Sequence, residues 1–244
     1  MRTTLAILAL NEIESIPHVL PKIDRSWVDE IIVVDGGSTD GTIEWCEAHG
    51  FRVLRQTTRG YGAGMRELIA IAEGDVIIEF MPDGNCTVET IPKLVEKMKE
   101  GYDLVIASRY MRGATSHDDT PITRLGNWGF TRIINVLFGA HYEDAMMGYR
   151  AYLKKSFLTM EMDADGLTFP TQGSIQFARY GYRVTEIPSD EPPRIGGERK
   201  AKNFKTGLEL VMMIGKEAVR EAQSRIKGTR KPRYRVETGD ADKR

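Results

Sequence analysis

Five short apolar runs, at residues 4–9, 31–34, 51–54, 76–80 and 104–107, constrain this chain more than any other feature. Each has the length of a strand, and most are rich in Val and Ile, which pack well on a pleated surface. Between them lie stretches whose apolar residues recur at helical spacing: 16–23, 42–48, 65–72 and 91–98. Strands alternating with helices are joined by crossovers, so the pattern predicts an α/β fold, a mostly parallel sheet with helices on both faces. Such sheets bind ligands in the crevice outside the carboxyl ends of their strands, and the loops leaving those ends are where chemistry is expected.

After Ala107 the alternation stops. A polar loop (110–121), a helix (125–138), a Gly-rich turn near Gly148, a helix (172–180), a strand (183–187), a Pro/Gly loop (188–197) and a long helix (204–226) follow. The 244 residues, 41% hydrophobic, suffice for one sizeable core. The expected organisation is one domain over 1–202, with a nucleotide half to about 110 and an acceptor half beyond it. A basic amphipathic helix and tail occupy 203–236, and a disordered polar tail 237–244. No signal-peptide pattern precedes the first strand, and no run of about eighteen apolar residues offers a membrane span. Cys46 and Cys86 lack the spacing of a zinc site or a disulfide framework, as expected of reduced thiols in a cytoplasmic protein. The net charge of −1 hides an asymmetry: residues 194–235 carry thirteen Lys and Arg against four Glu. An anionic partner is expected there.

Three loops can carry chemistry. The first, Asp35-Gly36-Gly37-Ser38-Thr39-Asp40-Gly41-Thr42, sets a carboxylate at a strand end beside two glycines that permit close backbone approach. Thr39 or Asp40 could equally serve as a helix cap. The second, Arg59-Gly60-Tyr61-Gly62-Ala63-Gly64-Met65-Arg66, places glycines and arginines at a helix start, where backbone N–H groups suit a phosphate. It lacks the ending of a P-loop. The third, Met81-Pro82-Asp83-Gly84-Asn85, offers a carboxylate and an amide two residues apart, oxygen donors suited to Mg²⁺ or Mn²⁺ shared with a diphosphate. Pro-Asp-Gly is also good type I turn material, but beside the other two loops the metal reading is preferred. Ser116-His117-Asp118-Asp119 reads instead as a solvated turn, and Trp128 as a packing residue.

The ordered set of Leu10-Asn11-Glu12, the Asp35 loop, Arg59-Gly60-Tyr61-Gly62, Gly74-Asp75, Pro82-Asp83-Gly84-Asn85 and Ser108-Arg109-Tyr110 resembles family 2 glycosyltransferases of the GT-A fold. Gly126-Asn127, Asp144–Arg150 and Arg194–Lys200 are similar to the dolichol/polyprenyl-phosphate mannosyltransferase branch. The resemblance implies a Rossmann-like sheet and a nucleotide-sugar donor held by Asn11, Glu12, Asp35, Gly37, Ser38, Arg59 and Gly60, with Asp35 on the base. It also implies Mg²⁺ or Mn²⁺ on Asp83, with Asn85 beside it, and phosphates met by Arg109, Arg124, Arg199 and Lys200. Two acids usual in the family are replaced here by Gly36 and Asn85.

Inverting hexose transfer from GDP-mannose or UDP-glucose to a polyprenyl or dolichyl phosphate is the expected reaction. A phosphate acceptor, with a second pKa near about 6, needs no general base. A soluble or polysaccharide hydroxyl acceptor would need one, and Asp144 is the candidate. A non-catalytic nucleotide-sugar binding subunit is the alternative outside enzymes. The basic C-terminal helix suits a membrane surface or a membrane-embedded partner subunit, or else packs on the core. Lacking interleaved aromatics apart from Tyr234, it does not favour nucleic acid.

Overall fold

In a computed structural model that describes residues 1–196 and 203–228, the apolar runs assemble into one seven-stranded sheet. Strands β1 (Thr3–Ala9), β2 (Glu30–Asp35), β3 (Arg52–Arg55), β4 (Val76–Phe80), β5 (Leu104–Ser108), β6 (Arg150–Leu153) and β7 (Val184–Pro188) lie in the order β3-β2-β1-β4-β6-β5-β7. Every pairing is parallel except those of β6, which runs antiparallel between β4 and β5. The core strands β1, β4 and β5 are almost wholly buried, as continuous apolar runs covered on both faces must be.

The helices are α1 (Ile16–Val19), α2 (Thr42–Ala48), α3 (Tyr61–Ile71), α4 (Thr90–Lys99), α5 (Pro121–Phe138), α6 (Lys154–Phe157), α7 (Phe169–Tyr180) and α8 (Asn203–Ile226). Helices α1, α3, α5 and α7 and strand β6 differ from expectation, α5 starting at Pro121 and α7 at Phe169. α1 gives way at Val19 to a tighter 3₁₀ turn containing Pro21. α3 starts four residues early, so its glycines lie inside its first turn. β6, just after the glycine turn near Gly148, is not among the expected strands, because a strand that opens on Arg150 breaks the apolar signature. Arg150 is nonetheless buried, and its guanidinium donates to Met147 O at 2.8 Å, Pro170 O at 2.6 Å and Ser174 Oγ at 3.1 Å.

Chain order reverses direction at β1: β2 and β3 lie to one side, β4 and the remainder to the other. Ala9 pairs with Asp35, and Ile7 with Phe80, so the carboxyl ends of β1, β2 and β4 open side by side into one crevice.

Helix α8 packs against α5 and α7 through a charged centre. Glu217, fully buried, accepts from Gln172 Nε2 at 2.9 Å, Gln176 Nε2 at 2.7 Å, Arg179 Nη1 at 2.6 Å and Arg220 Nη1 at 2.7 Å. Leu210, Met213 and Ile214 are buried beside it. Glu217→Ala takes an acceptor from buried Gln176 and Gln172 and leaves Arg179 with Glu221 alone, at 3.2 Å. It is expected to cost about 3–5 kcal/mol, read as a lower urea midpoint at unchanged slope.

Candidate active site

The loops after β1 and β2 are clasped together. Asn11, in the left-handed region at φ 52°, donates its N–H to Ser38 Oγ at 2.9 Å and accepts at Oδ1 from Thr39 N at 2.9 Å. Glu12 N donates to Thr42 Oγ1 at 2.9 Å and Ile13 N to Asp40 Oδ2 at 3.1 Å. Asp35 is 1% exposed and accepts from Gly37 N at 2.8 Å and Ser38 N at 3.1 Å. Its carboxylate therefore shapes the turn. A cavity of ≈ 350 Å³ opens here, lined by Glu12, Gly36, Gly37, Gln56 and Arg59 but not by Asp35. Glu12 is the acid that lines the cavity.

The Gly-rich segment is not the phosphate cradle expected of it. Gly62 N and Ala63 N, at the start of α3, donate to Asp165 O at 2.8 and 3.3 Å. A Cβ at Gly62 would lie 2.0 Å from Ala164 O, and one at Gly60 2.3 Å from Asp165 O. The glycines admit a neighbouring chain segment, and its carbonyls use the amides a phosphate would need. Arg66 binds Ala164 O and Asp165, whereas Arg59 is exposed on the cavity wall.

Tyr61, Met81 and Leu167 wall both this cavity and a second, of ≈ 270 Å³, so the two form one crevice. The second holds Asp83, Asn85, Arg109, Asp118, Glu191 and Arg194. Gly84, at φ +91°, turns the chain so that Asp83 Oδ1 accepts from Asn85 N at 3.0 Å. Arg194 Nη1 lies 2.9 Å from Asp83 Oδ2, and Ile195 N donates to Asp83 O at 2.9 Å. Residues 194–196 thus cross the turn as a strap, seated on Gly84, where a Cβ would meet Ile195 Cγ1 at 2.6 Å.

Arg109 grips Asp144 with both arms, Nε to Oδ2 at 2.7 Å and Nη2 to Oδ1 at 3.0 Å. Its Nη1 lies 3.3 Å from Glu191 and 4.0 Å from Asp119. Burial alone would lower the Arg109 pKa, but Asp144 and Glu191 hold it well above its ordinary value. Glu191 is pushed up by burial, against the pull of Arg109. Asp144 is 0% exposed, and both of its oxygens accept from Arg109, which it positions. Arg124 is exposed, its guanidinium 5.9 Å from the Tyr110 ring centre, and makes no ion pair among the described residues. Arg199 and Lys200 lie outside the described residues.

Residues 4–160 match the model of Glycosyl transferase family 2. The chain belongs to this family. It is 31% identical over 226 residues to undecaprenyl-phosphate mannosyltransferase of Micrococcus luteus, covering 86% of this chain and 92% of that protein. To dolichyl-phosphate hexose transferase of Haloferax volcanii it is 30% identical over 213 residues, 86% of this chain and 91% of that one. Glycosyltransferase AglJ of the same organism is 32% identical over 190 residues, 77% of this chain but only 62% of its own length. Among solved structures, glucosyl-3-phosphoglycerate synthase of Mycobacterium tuberculosis, in complex with Mn²⁺, UDP-glucose and glycerol 3-phosphate, gives a TM-score of 0.69 at 19% identity. That match covers 89% of this chain and 80% of the other, and it supports the GT-A fold alone.

For this family 2 glycosyltransferase, the residues present fit a divalent cation. Asn85 is 7% exposed, and its Oδ1 has no hydrogen-bond partner among the described residues. No group of three or more His, Cys, Asp or Glu suited to a metal occurs there either. Mg²⁺ tolerates so sparse a set, since it is commonly held by one or two carboxylates plus substrate phosphates. The sequence reading missed the loop at 116–119. Ser116 Oγ binds Glu191, Asp118 reaches Asn85, and Asp119 accepts from the Tyr110 hydroxyl. No local pattern marks these contacts, which span 33 to 75 residues of chain except for that of Asp119.

Arg194 now occupies one oxygen of Asp83. Arg194→Gln removes this competing cation and is expected to tighten Mn²⁺ binding to the nucleotide-free protein about tenfold, about 1.4 kcal/mol, measured from the free-Mn²⁺ resonance signal.

Proposed function

We propose that this enzyme transfers a hexose, with inversion, from a nucleotide sugar of the GDP-mannose or UDP-glucose type to a polyprenyl phosphate. The observation that carries this reading is the pair of helices bordering the second cavity. α5 contributes Asn127 to its lining and α8 contributes Thr206 and Leu210, while both helices leave large apolar side chains in solvent. On α5 these include Ile122, Leu125, Trp128 and Val136, the last 83% exposed. On α8 they include Phe204, Leu208, Val211 and Met212. Exposed apolar surface of this extent marks an interaction face. Arg124 and Arg132 stand on the same helix as Trp128, with the Arg132 guanidinium 5.8 Å from the Trp128 ring centre, a combination suited to a headgroup layer. The named activities of the relatives from Micrococcus luteus and Haloferax volcanii support the same acceptor class.

The nucleoside would lie in the cavity beside Glu12 and Arg59, and the sugar near Tyr61, Met81 and Asp83. Asp83 and Asn85 would hold Mg²⁺ or Mn²⁺, which supplies charge neutralisation on the leaving diphosphate. Tyr61 is fixed by donating to buried Glu79 at 2.6 Å, and so gives that wall a rigid position. Arg124 and the Arg109 guanidinium face the acceptor side. An acceptor phosphate ionised at neutral pH forms its bond to the anomeric carbon as the bond to the nucleoside diphosphate breaks, and no proton needs to move. A hydroxyl acceptor would need a base, and the engagement of Asp144 with Arg109 speaks against that alternative.

Labelled GDP-mannose or UDP-glucose incubated with polyprenyl phosphate should yield lipid-extractable label. Asp83→Asn should lower that yield at least about a hundredfold. Label recovered only on soluble saccharides overturns the reading. No helix among the described residues is long and apolar enough to cross a membrane; the contact proposed here is made peripherally, by the exposed apolar sides of α5 and α8. The double variant Val136→Glu, Leu208→Glu should reduce co-sedimentation with phosphatidylglycerol vesicles at least about tenfold at unchanged thermal midpoint, because both side chains are exposed.

A further inference from the structure

The Asp83-Gly84-Asn85 turn offers a single carboxylate, yet the crevice presents another from a different loop. Asn85 Nδ2 donates to Asp118 Oδ2 at 3.1 Å. That bond fixes which way the amide points, since turning it over would set oxygen against carboxylate oxygen. Asn85 Oδ1 is left buried and unpartnered among the described residues, in a cavity that Asp83 and Asp118 also line. An acceptor stranded in this way costs about 1–3 kcal/mol, which a cation at that oxygen would relieve.

Charge points the same way. The cavity lining sets Asp83, Asp118 and Glu191 against Arg109 and Arg194; Arg109 is shared by Asp144 and Glu191 and Arg194 lies on Asp83, which leaves Asp118 without an ion pair among the described residues. We infer that Asp118 supplies the second carboxylate of the divalent-cation site, joining Asp83 and Asn85 Oδ1 from across the crevice. The inference rests on the nucleotide-sugar reading and deepens it. Two carboxylates and an amide are hard oxygen donors suited to Mg²⁺ or Mn²⁺. Asp118 belongs to the segment that joins β5 to α5, between Tyr110 and Arg124. The cation therefore ties the donor-side turn after β4 to the loop that leads into the acceptor side. Loading the donor with its metal orders the place where the acceptor phosphate arrives.

The test is Mn²⁺ binding to the full chain, followed through the free-Mn²⁺ resonance signal with and without GDP or UDP. Asp118→Asn keeps an oxygen for Asn85 Nδ2 while removing the charge, so the fold is retained. Its Mn²⁺ affinity should fall at least about tenfold, as should that of Asp83→Asn. Asp190→Asn, altering an acid of the same region that binds Thr115, should bind as the unaltered protein does. If Asp118→Asn binds Mn²⁺ normally while Asp83→Asn does not, the role of Asp118 is overturned and the proposed function stands. If the unaltered protein takes up no Mn²⁺ even with nucleotide, both fall.

Discussion

The forked contact between Arg109 and Asp144 holds the acceptor half of the crevice together. Arg109 leaves the end of β5, Asp144 comes from the segment before β6, Glu191 follows β7, and Asp119 precedes α5. Four separate stretches of chain thus meet at one guanidinium. Without it, three buried or nearly buried acids would face one another, and removing one partner of such a pair costs about 3–5 kcal/mol. The backbone of Glu143 and Asp144 is held in turn by Glu186 of β7, at 2.6 and 2.9 Å. Charge repulsion, more than apolar packing, dictates how this side closes.

The donor half is governed by backbone hydrogen bonding. Asp35 is spent on its own turn, Asn11 and Ser38 clasp two loops, and the amides at the start of α3 are spent on Asp165 O. Motif residues here act mostly by holding backbone rigid, which leaves bare Gly36 and Gly37 at the cavity wall. A ligand can approach that backbone closely because no Cβ stands in the way.

This division explains what was legible in the sequence. The strands of the donor half could be read because buried parallel strands are continuous apolar runs, and α2 because its helical spacing is undisturbed. β6 could not, since its first residue is an arginine, whose charge is satisfied by the carbonyls of Met147, three residues back, and Pro170, twenty residues on. Asp83 was found as a residue type at a strand end, whereas Asp118 was dismissed as a solvated acid. Nothing near it in sequence signals that its partner is Asn85. The hold of Arg109 on Asp144 is equally invisible locally: an acid's availability depends on what holds its oxygens, and Arg109 lies 35 residues away. Position along a strand is a local property and is written locally. Protonation and ligation belong to long-range pairs, and composition does not carry them.

Helix α8 shows the same principle, burying two acids alongside Leu210, Met213 and Ile214. A surface helix ordinarily turns its apolar stripe inward and its charges outward. Here Glu217 and Glu221 are buried among Gln172, Gln176 and Arg179, while Leu208, Val211, Met212 and Val219 remain in solvent. The charged centre fixes the helix against α7 by directional bonds, which set its rotation more narrowly than apolar packing alone. With that rotation fixed, apolar residues on the outside follow from the sequence, and among the described residues nothing covers them. A helix anchored through its charges is free to offer its apolar side to something else, and under the proposed reaction the cavity it borders is where the acceptor phosphate would enter.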